Sequence, residues 1–177
     1  MFIQVIWSAL KRFKEEDENL FVRKRVKEEC VSHRIALYIQ EILLGGDWKE
    51  ITDLNDLKQK IEAGRVKIDI EYDKSSDLPK EIDGKLSRPD ILIHQRGNCS
   101  DNYAYIELKK EYLNKRDREK CLGAKKAPYR FQHVLMIDCL IKPPDKMRVI
   151  EIVNESGEKK AHIYSPLNAA SNDPVFR

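Results

Sequence analysis

Two acidic residues and a lysine near the middle of the chain have the types and the spacing to hold a metal ion and to stabilise developing charge. Asp90 opens a stretch that Glu107 and Lys109 close. Within it, residues 91–93 and 103–108 form apolar runs, and a loop rich in Gly, Asn, Ser and Asp separates them. This pattern predicts a β-hairpin with a long loop.

The predicted hairpin brings the three side chains to one end of a sheet. Side chains two residues apart on a strand share a face, so Glu107 and Lys109 are expected to project together. The start of one antiparallel strand lies beside the end of the other, so Asp90 is expected to join them. Carboxylates placed in this way suit a hard cation such as Mg²⁺, with backbone oxygens and waters as further ligands. The lysine would then face the attacking water or the charge that develops on a phosphate.

The motif Pro89-Asp90 followed by Glu107-Leu108-Lys109 resembles that of the PD-(D/E)XK nuclease superfamily, which has the restriction-endonuclease-like fold. The resemblance implies a Mg²⁺-dependent nuclease, with Mn²⁺ as a substitute, that hydrolyses phosphodiester bonds in DNA. It implies that Asp90, Glu107 and the backbone carbonyl of Leu108 hold the metal. Lys109 would orient or activate the attacking water.

Both halves of the motif are short, and other parts of the chain match them. Asp145 after a proline and Glu158 two residues before a lysine form the main rival pair, but turn-like sequence surrounds both acids. Only the pair at 90 and 107–109 has both halves on predicted strands. The alternative is a solvated hairpin end with ordinary surface charges. Three further Asp-X-Lys triplets adjoin a glycine or fall in a predicted helix, and they begin at Asp47, Asp56 and Asp83.

A glutamate on the predicted first helix is a fourth candidate. This helix is predicted over residues 18–44, ended by two glycines, with an apolar stripe of helical period. Glu28 falls on the stripe, where a carboxylate is costly unless it is paired or binds metal, whereas Glu29 lies on the flank. The segment from Glu28 to Tyr38 is similar to the first helix of several small superfamily members, in which such a glutamate supplements the metal site. The alternative for Glu28 is an ion pair with a nearby Arg or Lys.

Basic residues are concentrated beside the proposed site, although the whole chain is nearly neutral. The 177 residues include 33 basic and 30 acidic side chains, so net charge does not identify a nucleic-acid-binding protein. Residues 109–130 contain nine Lys or Arg against three Asp or Glu, which predicts contact with a phosphate backbone. The alternative is a solvated helix face. The candidate phosphate-binding residues are Arg34, Lys110, Lys115, Arg116, Arg118, Lys125 and Lys126.

The remaining patterns predict one α/β domain over residues 1–177, with a frayed tail at 166–177. Helices are predicted at 51–63, capped by Thr52 or Asp53, and at 114–123, with Asn114 as the N-cap and Gly123 as the stop. Strands are predicted at 66–72, 129–141, 147–154 and 161–164, and a polar surface segment at 73–87. The expected architecture is a restriction-endonuclease-like three-layer core, with a mixed sheet of about five strands flanked by helices. The resemblance covers about residues 18–142.

Other features bear on cellular setting and partners. The four cysteines form no CxxC pair, which disfavours a zinc site and suits reduced thiols in a cytosolic protein. No apolar stretch approaches the length that spans a bilayer. We therefore expect a cytoplasmic protein that binds nucleic acid and no membrane. A second apolar stripe on the first helix predicts either a homodimer contact or more core. The alternative function is a non-catalytic nucleic-acid-binding or protein-interaction domain on the same fold.

Some superfamily members carry a Gln or Lys on the helix that follows the motif. The sequence does not single out one residue for that place. Lys115, Arg116 and Arg118 are the candidates on the predicted helix at 114–123.

Overall fold

The computed structural model describes residues 1–17, 26–71, 74–75, 78–79, 81–82, 85–97, 99–138 and 147–163. The helices in this part of the chain are α1 (Phe2–Glu16), α2 (Glu28–Gly45), α3 (Thr52–Glu62) and α4 (Lys115–Lys125). The strands are β1 (Lys67–Ile70), β2 (Lys74–Ser75), β3 (Leu78–Pro79), β4 (Glu81–Ile82), β5 (Lys85–Leu86), β6 (Ile91–His94), β7 (Asn102–Leu108), β8 (His133–Asp138), β9 (Arg148–Ile152) and β10 (Lys159–Ile163).

Six of these strands form one mixed sheet in the order β1-β6-β7-β8-β9-β10. Strands β7 and β8 are parallel, and the other neighbouring pairs are antiparallel. The crossover from β7 to β8 is made by α4, as a parallel pair requires. The predicted α/β class and mixed sheet are confirmed, with six strands where about five were expected.

The central strands of the sheet are covered on both faces, which explains their nearly continuous apolar runs. Every residue of β6 and β7 is buried. One core contains side chains of α1, α2 and α3 with one face of the sheet, and a second contains side chains of α4 with the other face. The predicted strand pair of the hairpin is confirmed, with register Ile91↔Ile106 through Ile93↔Ala104.

The N-terminal helices differ from the prediction. Instead of one helix over 18–44, α1 ends at Glu16 and α2 begins at Glu28, and residues 18–25 lie outside the described part. Helix α1 packs against α2, and six of its apolar side chains are buried. The start of α2 lacks a side-chain cap, so no sequence signal marked it. Four residues of its predicted apolar stripe are buried, Val31, Ile35, Tyr38 and Ile39, and the fifth, Ile42, is half-buried.

The predicted ends of the other helices are partly confirmed. Asn114 and Asp117 form the expected capping box at the start of α4. The helix does not stop at Gly123, which is buried, but continues to Lys125. Helix α3 has Ile51 at its N-cap position, without a side-chain cap, so the prediction of Thr52 or Asp53 there was wrong.

The later segments show where the prediction of strands was too long. Strand β8 begins at His133 rather than at residue 129. Its predicted end at residue 141 lies outside the described residues, which break off after Asp138 and resume at Met147. The polar segment at 73–87 contains the two small hairpins β2–β3 and β4–β5. The rival acid Asp145, the cysteine at 139 and the tail at 166–177 lie outside the described residues. No described helix has the length and apolar composition that a membrane span requires.

Candidate functional site

The open end of the β6–β7 hairpin forms one wall of a cleft of about 540 Å³. Asp90 stands one residue before the Ile91↔Ile106 pair, so the register places it opposite Glu107. The start of α2, with the two residues before it, and Lys120 of α4 supply the other walls. The lining comprises one apolar, five basic and five acidic residues: Val26, Lys27, Arg88, Lys109, Lys110, Lys120, Glu28, Glu29, Glu71, Asp90 and Glu107.

Asp90 is held against the end of β7 by a backbone hydrogen bond. The N–H of Leu108 donates to Oδ2 of Asp90 at 2.6 Å. The N–H and C=O of a strand residue face the same neighbouring strand, so the Leu108 carbonyl also emerges on the Asp90 side. Burial raises the pKa of Asp90, and the Leu108 N–H and the charge of Lys109 offset this only in part.

Glu107 is the most deeply buried charged group of the cleft, at 1% exposure. Lys120 of α4 donates to its Oε1 at 2.7 Å, and the hydroxyl of Tyr105 donates to the same oxygen at 3.0 Å. Burial, together with the nearby charge of Asp90, raises the pKa of Glu107 to about 7, and Lys120 and Tyr105 offset these two causes only in part. The two facing carboxyl groups therefore disfavour full ionisation, because each adds negative charge that little water can screen.

Lys109 points to the opposite wall of the cleft. Its Nζ lies 2.9 Å from Oε2 of Glu28, while the backbone N–H of Lys110 donates to Oε1 of the same glutamate at 3.3 Å. Burial alone would lower the pKa of Lys109, but the bond to Glu28 and the charge of Asp90 raise it above its ordinary value. The ammonium group is therefore charged at neutral pH.

The structure brings all four proposed catalytic residues to one cleft, with one change of geometry. Glu107 and Lys109 were expected to project together, but Glu107 reaches α4 and Lys109 reaches α2. Strand β7 ends at Leu108, so the regular alternation that the prediction assumed does not extend to Lys109. The Glu28 carboxylate makes the ion pair that was its alternative interpretation. Glu29 is exposed but also lines the cleft.

Lys120 is a functional candidate that the sequence reasoning missed. The three residues named for that part of the helix, Lys115, Arg116 and Arg118, are exposed. Lys120 instead lies beside the buried Cys121 and one turn after the buried Asp117, whose Oδ1 is 3.8 Å from its Nζ. Side chains three residues apart share a helix face, so the capping aspartate and the buried cysteine were signals that could have selected Lys120.

The candidate phosphate-binding residues occupy different regions. Lys110 lines the cleft. Arg34 lies outside the lining and donates to Asp17 at 2.8 Å and to Tyr38 at 2.7 Å. Lys125 donates to the carbonyl of Gln132, whose N–H donates to the carbonyl of Asn102 at the start of β7. The start of β7 is the end of the strand away from the cleft. Seven strand residues span about 20 Å, so the basic stretch extends well beyond the site. Lys126 at the same end of α4 is exposed.

The donors at the cleft fit a small hard cation with few protein ligands. Within the described ranges, no group of three or more His, Cys, Asp or Glu side chains is placed to hold a metal ion. Asp90 and Glu107 supply two carboxylates, and the Leu108 carbonyl supplies a backbone oxygen. Magnesium is commonly held by one or two carboxylates and keeps several of its waters, so this set suffices for Mg²⁺. Glu28 already accepts from Lys109 through Oε2 and from the Lys110 N–H through Oε1.

Comparison with protein-family models, with curated proteins and with solved structures finds no match to this chain. The function proposed below therefore rests on the sequence motif and on the geometry of the cleft.

Proposed function

We propose that this protein is a Mg²⁺-dependent nuclease that hydrolyses phosphodiester bonds in DNA. The observation that carries the proposal is the juxtaposition of Asp90 and Glu107 in a cleft flanked by Lys109 and Lys120. Burial disfavours the simultaneous ionisation of these two facing carboxyl groups. A divalent cation bound between them would stabilise their ionised forms.

The roles of the residues follow from their protonation and position. Asp90, Glu107 and the Leu108 carbonyl are the proposed ligands, and a bound Mg²⁺ would act as a Lewis acid on a phosphoryl oxygen. Lys109 is charged, so it orients the attacking water and offsets phosphate charge rather than accepting a proton. Lys120 holds Glu107 in place and adds positive charge at the same wall.

The order of elements supports a restriction-endonuclease-like fold as part of this proposal. Helix α2 precedes the antiparallel strands β1, β6 and β7, then α4 crosses to β8, which is parallel to β7. The superfamily core is likewise a helix, an antiparallel three-stranded meander, a helix and a further strand. In both arrangements the two acids stand at the ends of neighbouring strands.

The charge of the cleft supports a metal-dependent interaction with a polyanion. The lining has as many acidic as basic side chains, so the cleft without metal has little attraction for phosphates. A divalent cation would make the same wall net positive. We expect nucleic-acid affinity at the cleft to rise with Mg²⁺ and to fall with salt, because neutralised phosphates release counterions.

A second candidate is a non-catalytic nucleic-acid-binding or protein-interaction domain on the same fold. One observation favours it: the two lysines nearest the facing acids already pair with carboxylates, Lys109 with Glu28 and Lys120 with Glu107. In that case the charges satisfy one another and no metal is needed.

Cleavage assays on the purified protein separate the two candidates. Plasmid and single- and double-stranded oligonucleotides of DNA and RNA are incubated with Mg²⁺ or with EDTA. The proposal predicts cleavage that EDTA abolishes and that Lys109→Ala loses. The control is Lys49→Ala, which removes an exposed lysine outside the cleft. Binding without cleavage, insensitive to EDTA, would instead support the second candidate.

A further inference from the structure

Two buried hydroxyl groups, one from a residue shortly before β6 and one from β7, form a chain of hydrogen bonds that ends at the Glu107 carboxylate. The hydroxyls of Ser87 and Tyr105 are 3.0 Å apart, and the tyrosine hydroxyl lies 3.0 Å from Oε1 of Glu107. None of the three side chains is more than 1% exposed. Tyr105 and Glu107 are two residues apart on β7 and so share the face that looks towards α4.

The direction of these hydrogen bonds follows from the donor inventory. A tyrosine hydroxyl has one hydrogen, and it goes to the carboxylate oxygen of Glu107. Ser87 therefore donates to the Tyr105 oxygen. Lys120 donates to the same Oε1 at 2.7 Å, so two donors fix one oxygen of Glu107. The other oxygen, Oε2, receives neither of them.

We infer that Tyr105 and Ser87 are positioning residues that turn Oε2 of Glu107 towards a divalent cation shared with Asp90. This inference rests on the proposed function, since it assigns a role within the same site. Loss of a hydrogen-bonded partner that holds a metal-binding carboxylate commonly lowers metal affinity by about 10- to 100-fold.

The hydroxyl of Tyr105 is not required to fill the core. Its ring packs edge-on against Phe131, with centroids 5.6 Å apart. A phenylalanine would fill the same space without the cost of burying a polar group. Tyr129 is a matched tyrosine of the same core, since its hydroxyl donates to the backbone carbonyl of Glu81 at 2.7 Å rather than to the cleft.

The test compares Tyr105→Phe and Ser87→Ala with the control Tyr129→Phe. Two quantities are measured on each protein: the Mn²⁺ concentration that gives half of the maximal rise in melting temperature, and the Mg²⁺ concentration that gives half-maximal cleavage. We expect Tyr105→Phe to raise both concentrations about 10-fold. The maximal rate at saturating metal should stay within about threefold, because the ligands themselves remain. Ser87→Ala should raise both concentrations by about threefold, and Tyr129→Phe should leave them unchanged.

Several results would overturn the inference. A Tyr105→Phe variant with wild-type metal dependence, or an equal shift in Tyr129→Phe, would remove the positioning role. If Tyr105→Phe does not fold, Ser87→Ala carries the test, and loss of folding in both would assign the hydroxyls to stability alone. A wild-type protein that neither gains stability from Mn²⁺ nor cleaves would reject the proposed function itself, so the two failures are distinguishable.

Discussion

The two ends of the β6–β7 hairpin both place carboxylates next to basic side chains. At the turn end, Asp69 of β1 contacts His94 at 3.1 Å and accepts a two-pronged bond from Arg96, whose Nε is 2.8 Å from Oδ2. We call Asp69, His94 and Arg96 the turn-end cluster. At the open end, Asp90 and Glu107 face each other, Lys120 pairs with Glu107 at 2.7 Å, and Lys109 pairs with Glu28 rather than with either of them.

The pKa values at the two ends shift in opposite directions. Burial alone would raise the pKa of Asp69, but Arg96 and His94 together hold it well below its ordinary value. Burial raises the pKa of Asp90 and of Glu107, the latter to about 7, and their lysine neighbours do not reverse it. A guanidinium group that donates to both oxygens of a single carboxylate compensates its negative charge within the protein. At the open end, only Lys120 contacts the facing pair Asp90 and Glu107, so the negative charge of the pair is only partly compensated.

The largest expected difference between the two ends is in catalysis. Asp90→Asn should reduce Mg²⁺-dependent cleavage by about 10³-fold, equivalent to about 4 kcal/mol, because it removes a proposed ligand of the metal. Asp69→Asn should leave the rate per folded molecule within about threefold. Plasmid nicking, normalised to the folded fraction from circular dichroism, measures both. Equal losses in the two variants would make the site assignment wrong.

Stability should show the reverse order. Asp69→Asn should lower the free energy of unfolding by about 2 kcal/mol, because it leaves the partly exposed Arg96 and the buried His94 without their carboxylate. Asp90→Asn should change it by less than about 1 kcal/mol, since it removes one of two mutually repelling groups. Urea denaturation in EDTA measures these values. A larger loss for Asp90→Asn would indicate a structural role for Asp90.

The pH dependence of stability sharpens the same contrast. The folded-state pKa of Glu107 is about 7 against an ordinary value of 4.5, so the native state binds more protons over that interval. The free energy of unfolding should therefore fall as pH rises from about 4.5 to about 7, by on the order of 1–3 kcal/mol. Asp69 contributes no slope there, because its lowered pKa places its effect at acidic pH.

Glu107→Gln provides the check on this slope. In metal-free buffer the variant should lose most of the decline between about pH 4.5 and pH 7, whereas Asp69→Asn should retain it. Stability curves from urea melts at four or five pH values are sufficient. A wild-type slope in Glu107→Gln would show that another group titrates.

The smallest effect concerns the helix wall of the cleft. Glu28→Gln should reduce cleavage by about 10-fold, because the amide no longer holds Lys109 beside Asp90, while Glu29→Gln should change it less than twofold. The Glu28–Lys109 pair is partly exposed, so melting temperature should hardly change in either variant. A rate loss that follows unfolding, or a larger effect at Glu29, would contradict this assignment.

The hairpin and the position of Asp90 opposite Glu107 were predictable because they depend on local sequence patterns. The apolar runs fixed both strands, and the register then placed Asp90 opposite Glu107. The α/β class followed from the order of elements. Helix α1 was also readable, since its buried residues recur with helical spacing at Phe2, Val5, Ile6, Ala9, Leu10 and Phe13, but the prediction did not use them.

The features that were not predicted depend on how distant elements meet. Lys120 reaches Glu107 only because α4 packs across the sheet at one particular rotation. The Glu28–Lys109 pair joins residues 81 positions apart. The turn-end cluster depends on the register of β1 against β6 and on the position of the turn. Periodicity gives the face of an element but not the element that it meets.

We propose that the open end of the hairpin binds a divalent cation and that the turn end does not. Anomalous diffraction from crystals soaked in Mn²⁺ tests this directly. We expect one ion between Asp90 and Glu107, bound by both carboxylates and by the Leu108 carbonyl. A cleft that shows no ion while Lys120 still contacts Glu107, or an ion bound only at the turn-end cluster, would contradict it.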